Sequence, residues 1–253
     1  MVQAMNYRNF SHHSYSGKKM VLVVAHRTEL KSKKNAGIRA ADMVEDQMVV
    51  GLGTGSTVYY SLERLSARIQ DGLKLSCIPT SFQTAMRARK FGIPLVSLYD
   101  HDELDMTIDG ADQIDRDGHM IKGRGAAHLR EKCIANVSKK LIIVVDAKKM
   151  ARNLSIPVPV EVLPFACSNV AYCIRGIGGI PHLRENGNKD GPVITDNGNF
   201  ILDCDFGVIA NPRELEITLN QIPGALCNGI FSMYNKKMTV IVGDNSGTRV
   251  ILF

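Results

Sequence analysis

One pattern constrains the fold of this chain more than any other: short apolar runs that alternate with stretches of helical character. "QMVVGL" (47–52), "LKLSCIP" (73–79), "LDMTID" (104–109), "HMIKG" (119–123) and "LIIVVDA" (141–147) are of strand length. Around them stand helix-like "TELKSKKNAGIRAADMVED" (28–46), "STVYYSLERLSARI" (56–69), "SFQTAMRARKFG" (81–92) and "AAHLREKCIANVSKK" (126–140). In the first of these, Thr28 is the expected N-cap, with Ala36, Ala40, Met43 and Val44 on one side; Gly92 closes the third in the place of a left-handed cap. Strand–helix–strand units in series predict an α/β fold, a parallel sheet covered by helices on both faces.

The grammar changes near residue 155. "SIPVPVEVLPF" carries three prolines and reads as a domain crossing. A helix over 166–174, glycine-rich "RGIGGIP" and "GPVITDNGNFILDCDF" follow, the last read as a hairpin turning at Asn197-Gly198. A helix near 212–221 and a strand over 225–232 complete a small α+β unit, and "MTVIVGD" and "TRVILF" return to the first sheet. The expected division is a main domain of 28–154 plus 237–253 and a small domain of 155–236. Residues 1–27 read as a disordered extension outside the fold.

Charge and cysteine usage narrow the function. The net charge of +6 comes from 31 Lys+Arg against 25 Asp+Glu, and part of it lies in the acid-free first 28 residues. Trp is absent and aromatics make up 6%, without the aromatic–basic interleaving that single-stranded nucleic acid requires, so no nucleic-acid partner is expected. "MVLVVA" (20–25) is too short to cross a bilayer or to serve as a secretory signal, so no membrane partner is expected either. Six dispersed cysteines without a CxxC read as reduced thiols in the cytoplasm, and no histidine spacing suggests a metal.

Two segments carry chemistry. "VVGLGTGSTVYY" follows a strand and opens a helix, so first-turn N–H groups and the hydroxyls of Thr54, Ser56 and Thr57, around Gly55, are placed to bind an anion. Ser56 occupies the third glycine position of a dinucleotide fingerprint and no GKS or GKT follows, so phosphate without a nucleotide is the reading. "TIDGADQIDRDGHMIKGRGAAHLREK" (107–132) puts Asp109 at a strand end, Gly110 and Ala111 in a small turn, and Asp112 on the same turn. Lys122 then stands at a strand edge, Gly123, Arg124 and Gly125 form a second turn, and Glu131 falls in the next helix. A salt-bridged surface loop is the simpler account of so much charge. A phosphate cradle beside a carboxylate base and a cation suits proton transfer next to a carbonyl, with no cofactor or metal required. His101, His119 and His128 read as solvated or capping.

At these residues the chain resembles the ribose-5-phosphate isomerase A family. "GLGTGST", "PTSFQT", "TIDGADQID", "IKGRGAAHLREK", "VDAKK", "PVPVEVLPFA", "VITDNGNFILD" and "IPGALCNGIF" match in order from about Lys33 onward. The resemblance implies interconversion of D-ribose 5-phosphate and D-ribulose 5-phosphate. It implies a Rossmann-like domain with a smaller, ferredoxin-like α+β domain, in a cofactor-free homodimer or homotetramer. It makes Glu131 the general base, Asp109 the ring-opening acid/base, and Asp112 and Lys122 the groups that bind hydroxyls and stabilise the enediolate. Thr54–Thr57 match the substrate loop, and Lys33 and Lys149 the basic residues near the phosphate or the substrate, with Lys148 competing for the role of Lys149. Gly110, Ala111, Gly123, Arg124 and Gly125 complete the expected substrate contacts.

Two positions depart from the family pattern. Gln113 stands where the family has Glu, and Arg124 interrupts an all-glycine turn, harmless if its backbone needs no positive φ. A sugar-phosphate-sensing regulator and an isomerase of another phosphosugar are the competing readings.

Overall fold

The computed structural model describes residues 15–187 and 189–253. In chain order it comprises α1 (Tyr15–Ala41), β1 (Val49–Leu52), α2 (Val58–Gln70), β2 (Ser76–Pro79), α3 (Phe82–Lys90), β3 (Leu104–Asp109), β4 (Gln113–Ile114), β5 (Met120–Ile121), α4 (His128–Val137) and β6 (Ser138–Asp146). Then follow β7 (Val158–Val162), α5 (Cys167–Gly176), β8 (Ile180–Leu183), β9 (Glu185–Asn186), β10 (Lys189–Pro192), β11 (Phe200–Asp205), α6 (Pro212–Asn220), β12 (Ala225–Asn228), β13 (Ile230–Phe231), β14 (Met238–Gly243) and β15 (Thr248–Leu252). The alternation expected from sequence is present, and the two final strands do rejoin the first sheet.

That sheet has the order β15-β14-β6-β3-β1-β2, parallel except for β15. Period-two alternation sorts its residues between two cores. Val50, Leu52, Met106, Ile108, Ile142 and Val144 pack under α1, α2 and α3, while Leu141, Ile143 and Val145 face the other way. The second face is covered by α4 and by a three-stranded antiparallel sheet, β13-β5-β4, rather than by helices alone. The chain leaves β1 for β2 on one side and returns to β3 on the other, which opens a crevice beyond the carboxyl ends of β1 and β3.

The smaller unit runs β7-α5-β8-β11-α6-β12 with strand order β12-β7-β11-β8, the ferredoxin-like arrangement, around Val158, Val160, Val162, Val170, Ile174 and Leu202. One local expectation fails here and another is refined. The proline-rich segment, read as a crossing, carries strand β7: all five residues of the strand are buried, and Pro159 sits near its start, where one missing donor costs little. The Asn197-Gly198 turn forms, with Thr195 N donating to Asn199 O at 2.9 Å, but β11 pairs with β7 and β8 instead of folding back on 191–195.

The first helix also differs from expectation. It begins at Tyr15, so Thr28 is an interior residue whose carbonyl accepts from Ser32 Oγ at 3.0 Å. No glycine or proline lies between Lys18 and Ala36 to stop a helix there. Of the expected extension over 1–27, residues 1–14 lie outside the described residues. Among the described residues no helix is long and apolar enough to cross a membrane.

Ile143 is fully buried on the central strand β6. Ile143→Ala is expected to cost about 2–5 kcal/mol, read from the urea midpoint, with the circular dichroism spectrum unchanged.

Candidate active site

Three charged side chains meet at the floor of the crevice. Asp109 ends β3, Lys122 follows β5, and Glu131 lies in the first turn of α4. Lys122 Nζ lies 2.9 Å from Asp109 Oδ2 and 3.1 Å from Glu131 Oε2, and it donates to Gly110 O. Asp109, Lys122 and Glu131 are 1%, 3% and 4% exposed, so the ion pairs are almost free of water. Asp109 Oδ1 also accepts the Gly110 N–H at 2.7 Å. A Cβ on Gly53 would stand 1.9 Å from that oxygen, so only glycine lets the β1 loop pass over the carboxylate.

Two acids and one base share this site, and burial acts first on all three. Burial pushes the Glu131 carboxyl up to about 8, the Asp109 charge adds to the push, and Lys122 opposes it. Burial likewise raises Asp109, against the pull of Lys122. Burial alone would lower the Lys122 ammonium, but the two carboxylates outweigh it and hold it protonated. Glu131 Oε2 touches the ammonium without an aligned hydrogen bond and has no other partner among the described residues. It is a buried basic oxygen facing the cleft.

The cleft above these groups has a volume of about 690 Å³. Thr54, Gly55, Ser56, Thr57, Gly110, Ala111, Asp112, Lys122, Gly123, Arg124, Gly125, Glu131, Lys33 and Lys149 all line it; Asp109 lies beneath, behind Lys122. Every residue expected at the site is therefore at or directly under one cavity. Thr57 lines the cleft and makes no side-chain cap to α2, which leaves the helix N-terminus open toward it. Thr54 Oγ1 is braced by Thr80 Oγ1 at 2.9 Å and Ser81 Oγ at 2.6 Å. Lys148 and Lys149 both line the cleft, so the structure leaves both in play.

The two departures behave differently. Arg124 is exposed at the rim and is not among the non-glycine residues of positive φ, so its side chain imposes no backbone strain. Gln113 accepts the Ser155 N–H at 2.7 Å through Oε1, an acceptor role that a glutamate fills equally well.

Sequence reading missed Glu29. Its carboxylate pairs with Lys33 and lies 3.3 Å from Lys148, and those contacts, Lys33 first, hold it down at about 2. Its i,i+4 spacing to Lys33 was the available signal. His128 is corrected: it is fully buried at the start of α4, and burial, with Lys132 nearby, pushes its imidazole down to about 3. Asp115, Asp117 and His119 come within ligand distance of one another in the turn after β4, outside the cleft lining. There the Asp115 carboxylate accepts from the Asp117 and His119 N–H groups and contacts the His119 ring, a turn fully accounted for by its own bonds.

Residues 76–247 match the family model described as ribose 5-phosphate isomerase A (phosphoriboisomerase A). The chain is 52% identical to ribose-5-phosphate isomerase A of Methanoregula boonei over 87% of its own length and 93% of the relative. Among solved structures it resembles the enzyme of Methanocaldococcus jannaschii at 38% identity and TM-score 0.83, covering 87% of this chain and 98% of that one. A D-ribose-5-phosphate isomerase in complex with phospho-erythronic acid superposes at TM-score 0.85 and 40% identity, covering 88% and 98%.

The raised Glu131 carboxyl has a consequence for stability. A carboxyl whose folded pKa lies above its ordinary 4.5 binds more protons in the folded than in the unfolded state between that value and about 8. Stability from this group is therefore present below pH 4.5 and declines as pH rises through about 8. Glu131→Gln is expected to melt above the wild type at pH 8–9, with the difference closing toward pH 4.5, as measured by thermal denaturation across that range.

Proposed function

The chain belongs to the ribose 5-phosphate isomerase A family, and from that premise we propose how its cleft carries out the reaction. The enzyme interconverts D-ribose 5-phosphate and D-ribulose 5-phosphate, an aldose and a ketose at the same oxidation level. The related enzyme solved with phospho-erythronic acid supports a phosphosugar as the molecule held here.

In this reading the Thr54–Thr57 loop, Lys33 and Lys149 hold the phosphate, and the binding energy of that distant group positions the reacting carbons. Asp109, at the floor, handles the proton that opens the ring. Glu131 takes the proton from C2 of the open aldose. The electron pair of that C–H bond becomes the C1–C2 double bond, and the carbonyl pair moves onto O1. Lys122 and Asp112 hold the oxygens of the resulting enediolate, the ammonium offsetting the new charge where little water screens it. The O2 proton passes to O1, Glu131 returns its proton to C1, and the ketose results. Lys122 held between Asp109 and Glu131, with Glu131 Oε2 contacting no other polar group among the described residues, is the observation that carries this assignment.

We extend the proposal to the surroundings of the site. The chain divides into 28–154 plus 237–253 and 155–236. It works in the cytoplasm as a homodimer or homotetramer, for which exposed Phe165, Tyr172 and Ile180 on the smaller unit offer an apolar surface.

The wild type should isomerise ribose 5-phosphate with chelator present. Glu131→Gln should lower kcat about 10²–10⁴-fold while inhibition by inorganic phosphate persists. The acid limb of kcat/KM should lie well above the 4.5 of an ordinary glutamate, because the base must be ionised and its carboxyl is raised. Absence of wild-type turnover despite phosphosugar binding would leave the sugar-phosphate regulator.

A further inference from the structure

The turn that carries Lys122 into the site is held from outside the parallel-sheet unit. Gly123 has φ +108°, and a Cβ there would stand 2.7 Å from His128 Nδ1 and 3.1 Å from Pro159 Cβ, so the chain passes through a narrow gap. Lys122 N donates to Gly229 O at 2.9 Å, and Gly229 N to Pro159 O at 2.7 Å. Arg184, between β8 and β9, reaches the same turn. Its Nη1 donates to Gly123 O at 2.9 Å and Arg124 O at 3.2 Å, while its Nε and Nη2 form a two-point pair with Asp203 of β11. The Arg184 main chain is fixed as well: its N–H donates to Ile201 O at 2.9 Å and its carbonyl accepts from Val193 N at 2.8 Å. The side chain is 16% exposed and all of these contacts are local and directional.

We propose that Arg184 is a positioning residue for the isomerisation: from the smaller α+β unit it clamps the Gly123–Arg124 main chain, and so fixes Lys122 and the first turn of α4, with Glu131, in the reacting geometry. This rests on the site assignment above. The two carbonyls it holds belong to the residues between the cation and the helix that carries the base. Asp203 sets the guanidinium plane, leaving one nitrogen for both carbonyls. A lysine, with a single point charge, cannot make the paired contact to Asp203 and the two carbonyl contacts together. Loss of the clamp frees the turn by a fraction of an ångström to an ångström. A misplacement of that size away from the chemistry costs up to about 10²-fold in rate.

Arg184→Met keeps most of the side-chain volume and removes every donor; Arg184→Lys and Asp203→Asn weaken the clamp by degrees. The measurements are kcat, KM for ribose 5-phosphate, inhibition by inorganic phosphate, the acid limb of kcat/KM, and the thermal midpoint. Arg184→Met should lose about 10- to 100-fold in kcat with phosphate inhibition unchanged, and Arg184→Lys should recover part of the loss. The charged groups facing Glu131 are Asp109, Asp112 and Lys122. A loosened Lys122 offsets the first two less, so the acid limb should move to higher pH, a change that general destabilisation does not produce. Wild-type kcat and acid limb in Arg184→Met overturn the inference, as does a loss that only follows the folded fraction. Should that variant not fold, unchanged kcat and acid limb in folded Arg184→Lys and Asp203→Asn overturn it equally. An inactive wild type defeats the site assignment itself, and the inference with it.

Discussion

The ammonium of Lys122, held in a nearly dry site between Asp109 and Glu131, is the constraint that the rest of the structure satisfies. Ions so buried lose several kcal/mol of hydration each, and close opposite charges with further hydrogen bonds are what make the arrangement tolerable. Here the balance is left one negative charge in excess. Burial is the main source of the raised carboxyls, with the Asp109 charge adding to it at Glu131, and hence of a base poised near neutral pH rather than near 4.5. The arrangement also demands registration of three elements, the end of β3, the end of β5 and the start of α4, to within a hydrogen-bond length.

Registration on that scale is met by fixing both faces of the crevice to the smaller unit. A buried carboxylate, Glu161, accepts from Thr195 Oγ1, Asn197 Nδ2 and Asn199 Nδ2 through one oxygen at 2.8–2.9 Å, which shapes the 195–199 turn. That turn presents Asp196 to the Phe82 N–H at the start of α3, and it takes Arg130 of α4 onto Asn197 Oδ1 and Asp196 O. Lys132 of α4 is paired with buried Glu216 of α6. The helix bearing Glu131 is thus flanked on both sides by side chains anchored in the smaller unit. An α+β unit that contributes none of the expected reacting groups thus bonds to the elements that flank and carry them.

Much of this was legible in the chain. The parallel strands could be read because they are apolar on both faces, and Asp109 because it ends such a strand before a glycine turn. The convergence of Lys122 and Glu131 could be anticipated from the glycines between them. Strand β7 was obscured because prolines outweigh a valine alternation in any local reading, whereas only the tertiary pairing reveals that Pro159 sits where a donor is dispensable. The partners of β11 were misplaced for a related reason: the Asn197-Gly198 turn is real, but which strand a sheet edge recruits is decided by packing. His128 was read as solvated or capping because nothing in its neighbours, among them Arg130 and Lys132, signals a dry environment. Arg184 and Glu161 act over long sequence separations and leave no local mark.

The hydroxyl cluster under the β1 loop bears on how one cleft accommodates both sugars. Thr54 Oγ1 lies within 2.6–3.3 Å of the side-chain oxygens of Ser81, Thr80 and Thr84, and Thr84 Oγ1 donates to Gly53 O at 2.8 Å. Hydroxyl hydrogens rotate freely about their C–O bonds, and each oxygen can give or accept. Here the end of the chain of hydroxyls sets the direction: the Gly53 carbonyl can only accept, so Thr84 Oγ1 gives to it, Ser81 Oγ gives to Thr84 Oγ1 and Thr54 Oγ1 gives to Ser81 Oγ. These hydrogens are committed to the scaffold, so the loop above the cluster is held in one arrangement of heavy atoms and protons whether aldose or ketose lies in the cleft.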